Sequence, residues 1–322
     1  MKLGKIMSSN HFDGNYYFNP FNFSTHSFWQ VLKWMITRKP VKWPESVSVN
    51  QQKKLKERVS SDELEVTYVT HSTVLIQIDG KNILTDPIWS ERASPFSYIG
   101  PKRVSLPGIQ FKDLPPIDFV LISHNHYDHM DMPTLQKLQA DYSPVFYVPM
   151  GNQKFLLSKG LKKVLEMDWW DEVSLYSSNQ LIFVPAQHFS ARGLFDRNRT
   201  LWGGFMIKTS NQSVYFAGDS GYGPHFKAIR SRLGAPTLAC LPIGAYEPRW
   251  IMQSIHLSPA EALQAHLDLN AKQSLAIHFG TFQLTDEGIK EPVKILRQEM
   301  QTKQIPFEQF WVLNPGECKQ IY

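Results

Sequence analysis

The chain has 322 residues, 42% of them hydrophobic and 20% charged, an ordinary globular balance with room for one elaborate domain or two small ones. Its apolar runs are too short for a membrane helix, and two cysteines, Cys240 and Cys318, cannot make a disulfide framework. The net charge of +5 is uneven: the first sixty residues hold ten Lys/Arg against three acidic groups, leaving the remainder slightly acidic. A basic segment on a near-neutral body suggests an anionic partner, lipid headgroups or nucleic acid, with a solvated basic surface as the bland alternative. The N-terminus carries lysines but neither a continuous apolar h-region nor a small-residue cleavage site, so a reducing cytoplasm is the expected location.

In chain order, residues 1–60 read as a basic, aromatic arm followed by an amphipathic helix. Asn10 to Phe23 is rich in Asn, Phe and Tyr and looks irregular. Ser27 to Thr37 is predicted helical, ending before Pro40, with Gln30, Lys33 and Thr37 as a polar stripe. Its wide apolar face is expected to bury against the main domain; a membrane or a homodimer contact are the other outcomes. From residue 61 to 322 the texture is that of a second unit, with short β-branched runs. Strands are predicted over Glu65–Val69, Thr73–Ile78, Asn82–Thr85, Phe119–Ser123, Val145–Val148, Leu181–Val184, Gly204–Thr209, Ser213–Ala217, Leu238–Leu241 and Ser274–Ile277, and Asp79-Gly80 signals a hairpin. Helices are predicted over Met132–Gln139, Gly151–Lys159, Pro224–Leu233, Pro259–Asp268 and Pro292–Gln301. Strands in meanders and then interleaved with helices imply an α/β protein, two mixed sheets flanked by helices in an αβ/βα sandwich of four layers.

The chemical signal is Ser123-His124-Asn125-His126-Tyr127-Asp128-His129, directly after an apolar strand. Three imidazoles and a carboxylate within six residues form a ligand set for a borderline divalent ion. His124 and His126 can face one ion, while Asp128 and His129, beyond a turn, can face another. One loop rarely completes two sites, and His188, Asp219 and His278 each follow a further apolar strand. Singly each reads as a strand-end hydrogen bonder or a helix cap; together with the loop they read as a metal centre.

HxHxDH followed by a distant His, Asp and His resembles the metallo-β-lactamase superfamily. Further motifs resemble its N-acylphosphatidylethanolamine-hydrolysing phospholipase D family: Thr85-Asp-Pro-Ile-Trp-Ser, Asp168-Trp-Trp, Leu201-Trp-Gly-Gly, Ala217-Gly-Asp-Ser-Gly-Tyr, Gly244-Ala-Tyr-Glu-Pro-Arg-Trp and Ala276-Ile-His-Phe-Gly-Thr-Phe. The likeness runs from about Val66 to the C-terminus, with a weaker echo in the aromatic arm. It implies one ion on His124, His126 and His188, a second on Asp128, His129 and His278, and Asp219 bridging both. Two Zn²⁺ ions are the default, and iron or manganese suits the same N/O donors. Asp86 resembles the superfamily's supporting carboxylate, and His71 is a similar supporting candidate. His256, ahead of the apparent capping box Ser258/Glu261, is a candidate to hold phosphate or protonate a leaving group. Tyr127, Tyr246, Arg249 and Trp250 are candidates to line a substrate channel, Arg249 by pairing with a lipid phosphate or with Glu247.

The implied activity is hydrolysis of N-acylphosphatidylethanolamine to an N-acylethanolamine and phosphatidic acid through a metal-bridging hydroxide, on a phospholipid partner at a membrane surface. A related hydrolase of this fold acting on another ester, lactone or soluble phosphodiester is the rival. Covalent phospholipase D chemistry through HxKxxxxD is out, because Arg232 stands where His225-Phe-Lys227 would need its Asp. A nucleic-acid partner is not expected, since no extra domain lies between Asp219 and His278.

Overall fold

A computed structural model describes residues 10–20, 28–52, 55–176 and 179–321. Residues 21–23 of the aromatic arm, the predicted helix start Ser27, and Lys2, Lys5, Lys53 and Lys54 of the basic count lie outside the described residues. The strands in chain order are β1 (Leu64–Thr70), β2 (Thr73–Ile78), β3 (Lys81–Thr85), β4 (Phe119–Leu121), β5 (Val145–Pro149), β6 (Val164–Met167), β7 (Glu172–Tyr176), β8 (Asn179–Val184), β9 (Gly204–Lys208), β10 (Ser213–Phe216), β11 (Leu238–Pro242), β12 (Gln273–Ile277), β13 (Phe310–Trp311) and β14 (Cys318–Ile321). The helices are α1 (Phe28–Thr37), α2 (Met132–Asp141), α3 (Gln153–Ser158), α4 (His225–Leu233), α5 (Arg249–Met252), α6 (Pro259–Leu269) and α7 (Glu291–Thr302).

Two seven-stranded sheets result, ordered β14-β1-β2-β3-β4-β5-β6 and β13-β12-β11-β10-β9-β8-β7. In each, one half is an antiparallel meander and the other is parallel. Apolar side chains of both sheets, among them Val66, Leu121, Phe183, Phe216 and Leu275, share one buried layer between them. The outer face of the first sheet buries Leu135, Leu138 and Leu156 of α2 and α3, and that of the second buries Phe226, Leu263 and Leu296 of α4, α6 and α7. This is the expected four-layer sandwich. At Asp79-Gly80, both residues have positive φ, 48° and 71°, as the tight turn between β2 and β3 requires.

All ten predicted strands are present within two residues of their expected ends. The unexpected strands, β6, β7, β13 and β14, are the outermost strands of the two sheets. Helix α1 departs from expectation. Its Trp34 indole donates to Asp286 Oδ2 at 2.7 Å, and Arg38 pairs with Asp286 and donates to the Leu284 and Thr285 carbonyls. These polar ties orient α1 so that Trp29, Met35 and Ile36 face solvent, Trp29 and Ile36 about three-quarters exposed at 74% and 75%. The apolar face buries only in part: Val31 and Leu32 are half-buried, while Trp29, Met35 and Ile36 lie open. Downstream, Trp43 is buried and donates to the Glu287 carbonyl, and Val47 and Gln52 form bridges to Ser105 and Ile109. Among the described residues no helix is long and apolar enough to cross a membrane.

Candidate metal centre

Strand direction brings the reactive side chains together. Strands β1, β3 and β4 run the same way, since β2 is antiparallel to both β1 and β3, and β3 is parallel to β4. By the same logic β8, β10 and β12 run together. The loops after these strands, bearing His71, Asp86, His124–His129, His188, Asp219 and His278, therefore emerge at strand ends of like sense. Two glycines let the loops close up. A Cβ on Gly218 would stand 2.5 Å from that of Ser123, and one on Gly244 would stand 2.1 Å from the His278 carbonyl oxygen. His71, Asp86 and His278 themselves have φ of 49°, 33° and 59°, a left-handed backbone that non-glycine residues adopt at a cost and that clusters at working sites.

The side chains form one buried cluster with four overlapping groups of candidate ligand atoms, each group drawn within 4.8 Å: His71, Asp128, His129 and His278; His124, His126 and His188; Asp86, His124 and His129; and His188, Asp219 and His256. All seven residues expected as ligands are in it. Asp219 lies at its middle. Its Oδ2 is 3.2 Å from His129 Nε2, 3.1 Å from His278 Nε2, 3.9 Å from His188 Nε2 and 3.8 Å from His256 Nδ1. Asp128 Oδ2 is 3.2 Å from His129 Nε2 and 3.4 Å from His278 Nε2. His126 Nδ1 is 2.8 Å from His124 Nε2 and 3.3 Å from His188 Nε2.

Neighbouring groups aim these rings. Asp86 accepts from the Ser123 amide at 2.7 Å and hydroxyl at 2.6 Å, and its Oδ2 lies 2.6 Å from His129 Nδ1, which turns His129 Nε2 inward. His188 Nδ1 donates to the Ile255 carbonyl at 2.8 Å, so its Nε2 lone pair also faces inward. His71 Nε2 meets Asp128 Oδ2 at 2.9 Å, and its ring packs 4.1 Å from that of His278. Arg192, absent from the sequence reading, donates to the Asn125 and Met130 carbonyls at 2.8 and 2.9 Å and so pins both ends of the histidine loop. Ser123, which opens the histidine motif, links Asp86 to His124: its hydroxyl donates to Asp86 Oδ2 at 2.6 Å and lies 2.9 Å from His124 Nδ1.

Burial drives the pKa of His126 down to about 4 and that of His188 to about 3, and it holds His124 well below the usual range, so neutral imidazoles face the centre. Burial also opposes charge on His129 and His278, yet the carboxylates of Asp219 and Asp128 outweigh it and push His278 up to about 9 and His129 well above its usual value. Asp219 and Asp128 stay anionic, because the surrounding imidazoles overcome their burial. Buried anionic charge ringed by lone pairs calls for a cation. His129 Nε2, His278 Nε2 and Asp219 Oδ1 are also buried without a hydrogen-bond partner among the described residues. The donor set thus fits divalent metal ions.

The expected channel residues fare differently. Arg249 is tied within the chain: its guanidinium donates to Glu261 Oε2 at 2.7 Å and to the His256 and Tyr246 carbonyls, while Glu247 takes its backbone amide. Glu261 also completes the Ser258 capping box, so Arg249 braces the turn that presents His256. Tyr127 spends its hydroxyl on the Arg192 carbonyl at 2.8 Å, under the Arg192 guanidinium. Tyr246 is buried with its hydroxyl unpartnered among the described residues. Trp250 lines a groove of about 430 Å³ together with Trp34 and Arg38, at the α1 side of the molecule.

Comparison with known proteins agrees with this geometry. The family described as the Beta-lactamase superfamily domain matches residues 81–279. The N-acyl-phosphatidylethanolamine-hydrolyzing phospholipase D 1 of Caenorhabditis elegans is 37% identical over 76% of this chain and 72% of its own length. An uncharacterised protein of Mycobacterium tuberculosis is 40% identical over 74% of this chain, which spans 64% of that relative. A metallo hydrolase of the archaeon Ignicoccus hospitalis shares the fold at a TM-score of 0.60 with 22% identity, over 81% of this chain and 99% of the other. With the sandwich, the buried His/Asp cluster and these relatives in agreement, the chain belongs to the metallo-β-lactamase superfamily as a metal-dependent hydrolase, in the family of the N-acyl-phosphatidylethanolamine-hydrolysing phospholipases D.

Proposed function

We propose that this chain hydrolyses the phosphodiester of N-acylphosphatidylethanolamine at a membrane surface, a phospholipase D reaction giving an N-acylethanolamine and phosphatidic acid. The observation that carries the reading is the buried His/Asp cluster in a chain so like the worm phospholipase. His124, His126 and His188 would hold one zinc ion, Asp128, His129 and His278 the other, with Asp219 between them. When bound, such ions supply Lewis acidity, lowering the pKa of water and offsetting charge on phosphate.

The remaining work falls to the chain itself. Asp86 and His71 hold ligand rings in register, and Arg192 keeps the histidine loop from spreading. His256, buried with its Nδ1 lacking a hydrogen-bond partner among the described residues and 3.8 Å from Asp219 Oδ2, stands ready to hydrogen-bond the departing oxygen. Apolar tips support a lipid surface. Trp29, Met35 and Ile36 project from α1 beside the exposed Lys33 and Lys39, and Leu194 and Phe195, 92% and 89% exposed, project from the loop after His188. Exposed apolar side chains beside basic ones match an anionic leaflet, which makes a peripheral, cytoplasmic-face association part of the reading. The test is turnover of N-acylphosphatidylethanolamine in mixed micelles beside a water-soluble phosphodiester, using zinc-loaded protein. The lipid should be cleaved with the higher kcat/KM, and cleavage of the soluble diester alone rules the lipid reading out.

A further inference from the structure

Three features of the sequence take no part in the chemistry above: the aromatic arm, Asp168-Trp169-Trp170, and Leu201-Trp202. The fold ties them into one chain of contacts that ends on a candidate metal ligand. His11 Nε2 lies 2.7 Å from Asp168 Oδ1, and its ring stacks on Trp169 at 4.3 Å. The Trp169 indole donates to the Trp202 carbonyl at 2.7 Å. The Trp202 indole is shared between the Ala186 carbonyl at 3.0 Å and Asn19 Oδ1 at 3.3 Å. Asn19 Nδ2 then donates to the His188 carbonyl at 2.9 Å, across 169 residues of sequence. The Tyr17 amide adds a bond to the Asn198 carbonyl at 2.8 Å, in the loop that begins at His188.

His188 needs this support. It lies beyond the end of β8, outside any ladder, and is 1% exposed. A buried carbonyl without a donor has given up its hydration for nothing in return, so the backbone at His188 depends on the donor that reaches it. Its ring is fixed from one side by the Ile255 carbonyl, and its main chain from the other by Asn19. In the opposite half, Asp86 and His71 lie directly against His129 and Asp128, while Asp86 reaches His124 only through Ser123.

We propose that the N-terminal arm is a working part of the metal centre and that Asn19 is a positioning residue for His188, setting the affinity of the His124/His126/His188 half. The inference rests on the two-ion reading of the cluster and is independent of the lipid substrate. The test is calorimetric titration of zinc into full-length protein stripped by chelation, comparing wild type with Asn19→Asp and Asn19→Ala. Asn19→Asp keeps the acceptor for Trp202 and replaces the donor to His188 with a repelling oxygen. Asn19→Ala removes both bonds without adding a buried charge, and it decides the matter should the Asp variant not fold. One of two zinc equivalents should weaken about tenfold or more in the variants, the range for groups that support a ligand, with the other unchanged. Wild-type binding of both equivalents, or an equal weakening of both as general loosening would give, overturns the role of Asn19. A wild-type stoichiometry below two overturns the two-ion reading itself, which keeps the failures distinguishable.

Discussion

The two halves of the centre are built on different principles. One half, His124, His126 and His188, is all imidazole, made neutral by burial and aimed by a hydroxyl, a carbonyl and an arm from the far end of the chain. The other, Asp128, His129 and His278, is a charge network in which Asp86, Asp128 and Asp219 draw protons toward the rings. A half that already concentrates anionic charge gains more from a cation than one that offers only neutral lone pairs. Tight binding is therefore expected first at the carboxylate half. The imidazole half depends more on how well its backbone is held.

Asp219 tests the comparison hardest, because its carboxylate touches both halves. Asp219→Ala should abolish stoichiometric binding of both ions and cut kcat about a thousandfold or more, roughly 4 kcal/mol of barrier. Retention of two equivalents by elemental analysis would remove Asp219 from the centre of the site. Next in size is Asp86→Asn, which takes the carboxylate from His129 Nδ1 without changing shape. It should weaken the zinc equivalent on His129 by about 10- to 100-fold, and the one that Asn19 governs by less, since Asp86 reaches His124 only through the Ser123 hydroxyl. If calorimetry shows the Asp86 and Asn19 variants weakening the same equivalent most, the two halves are not separately braced. The smallest effect lies outside both halves. Trp29→Ser combined with Ile36→Ser should reduce sedimentation with anionic vesicles about fivefold, on the order of 1 kcal/mol for the pair together. Metal stoichiometry and soluble-diester turnover should not move. Unchanged sedimentation counts against α1 as a lipid contact.

Much of the site was legible because its residue types are rare and their placement repetitive. His124, His126, Asp128 and His129 share one loop, and His188, Asp219 and His278 each follow an apolar run. A polar group placed just after a buried strand is carried to a sheet end whatever the rest of the chain does. The supports were harder to read. Arg249 offered two partners in the sequence, phosphate or Glu247, and took a third, Glu261, twelve residues on. Arg192 and Asn19 carry no local pattern at all. Their partners lie 62 and 67 residues away for Arg192 and 169 for Asn19, and polarity alone does not say which carbonyl a donor will find.

The sequence by itself determined the ten inner strands, most of the helices and the metal-type side chains, since a strand covered on both faces must supply its own apolar run. Only the tertiary structure decided the four sheet edges. β6, β7, β13 and β14 are short or half-exposed, and their order comes from the ladder beside them. It also decided which way α1 turned. Trp34 and Arg38 found partners at Asp286, and those directional bonds left Trp29, Met35 and Ile36 of the apolar stripe exposed.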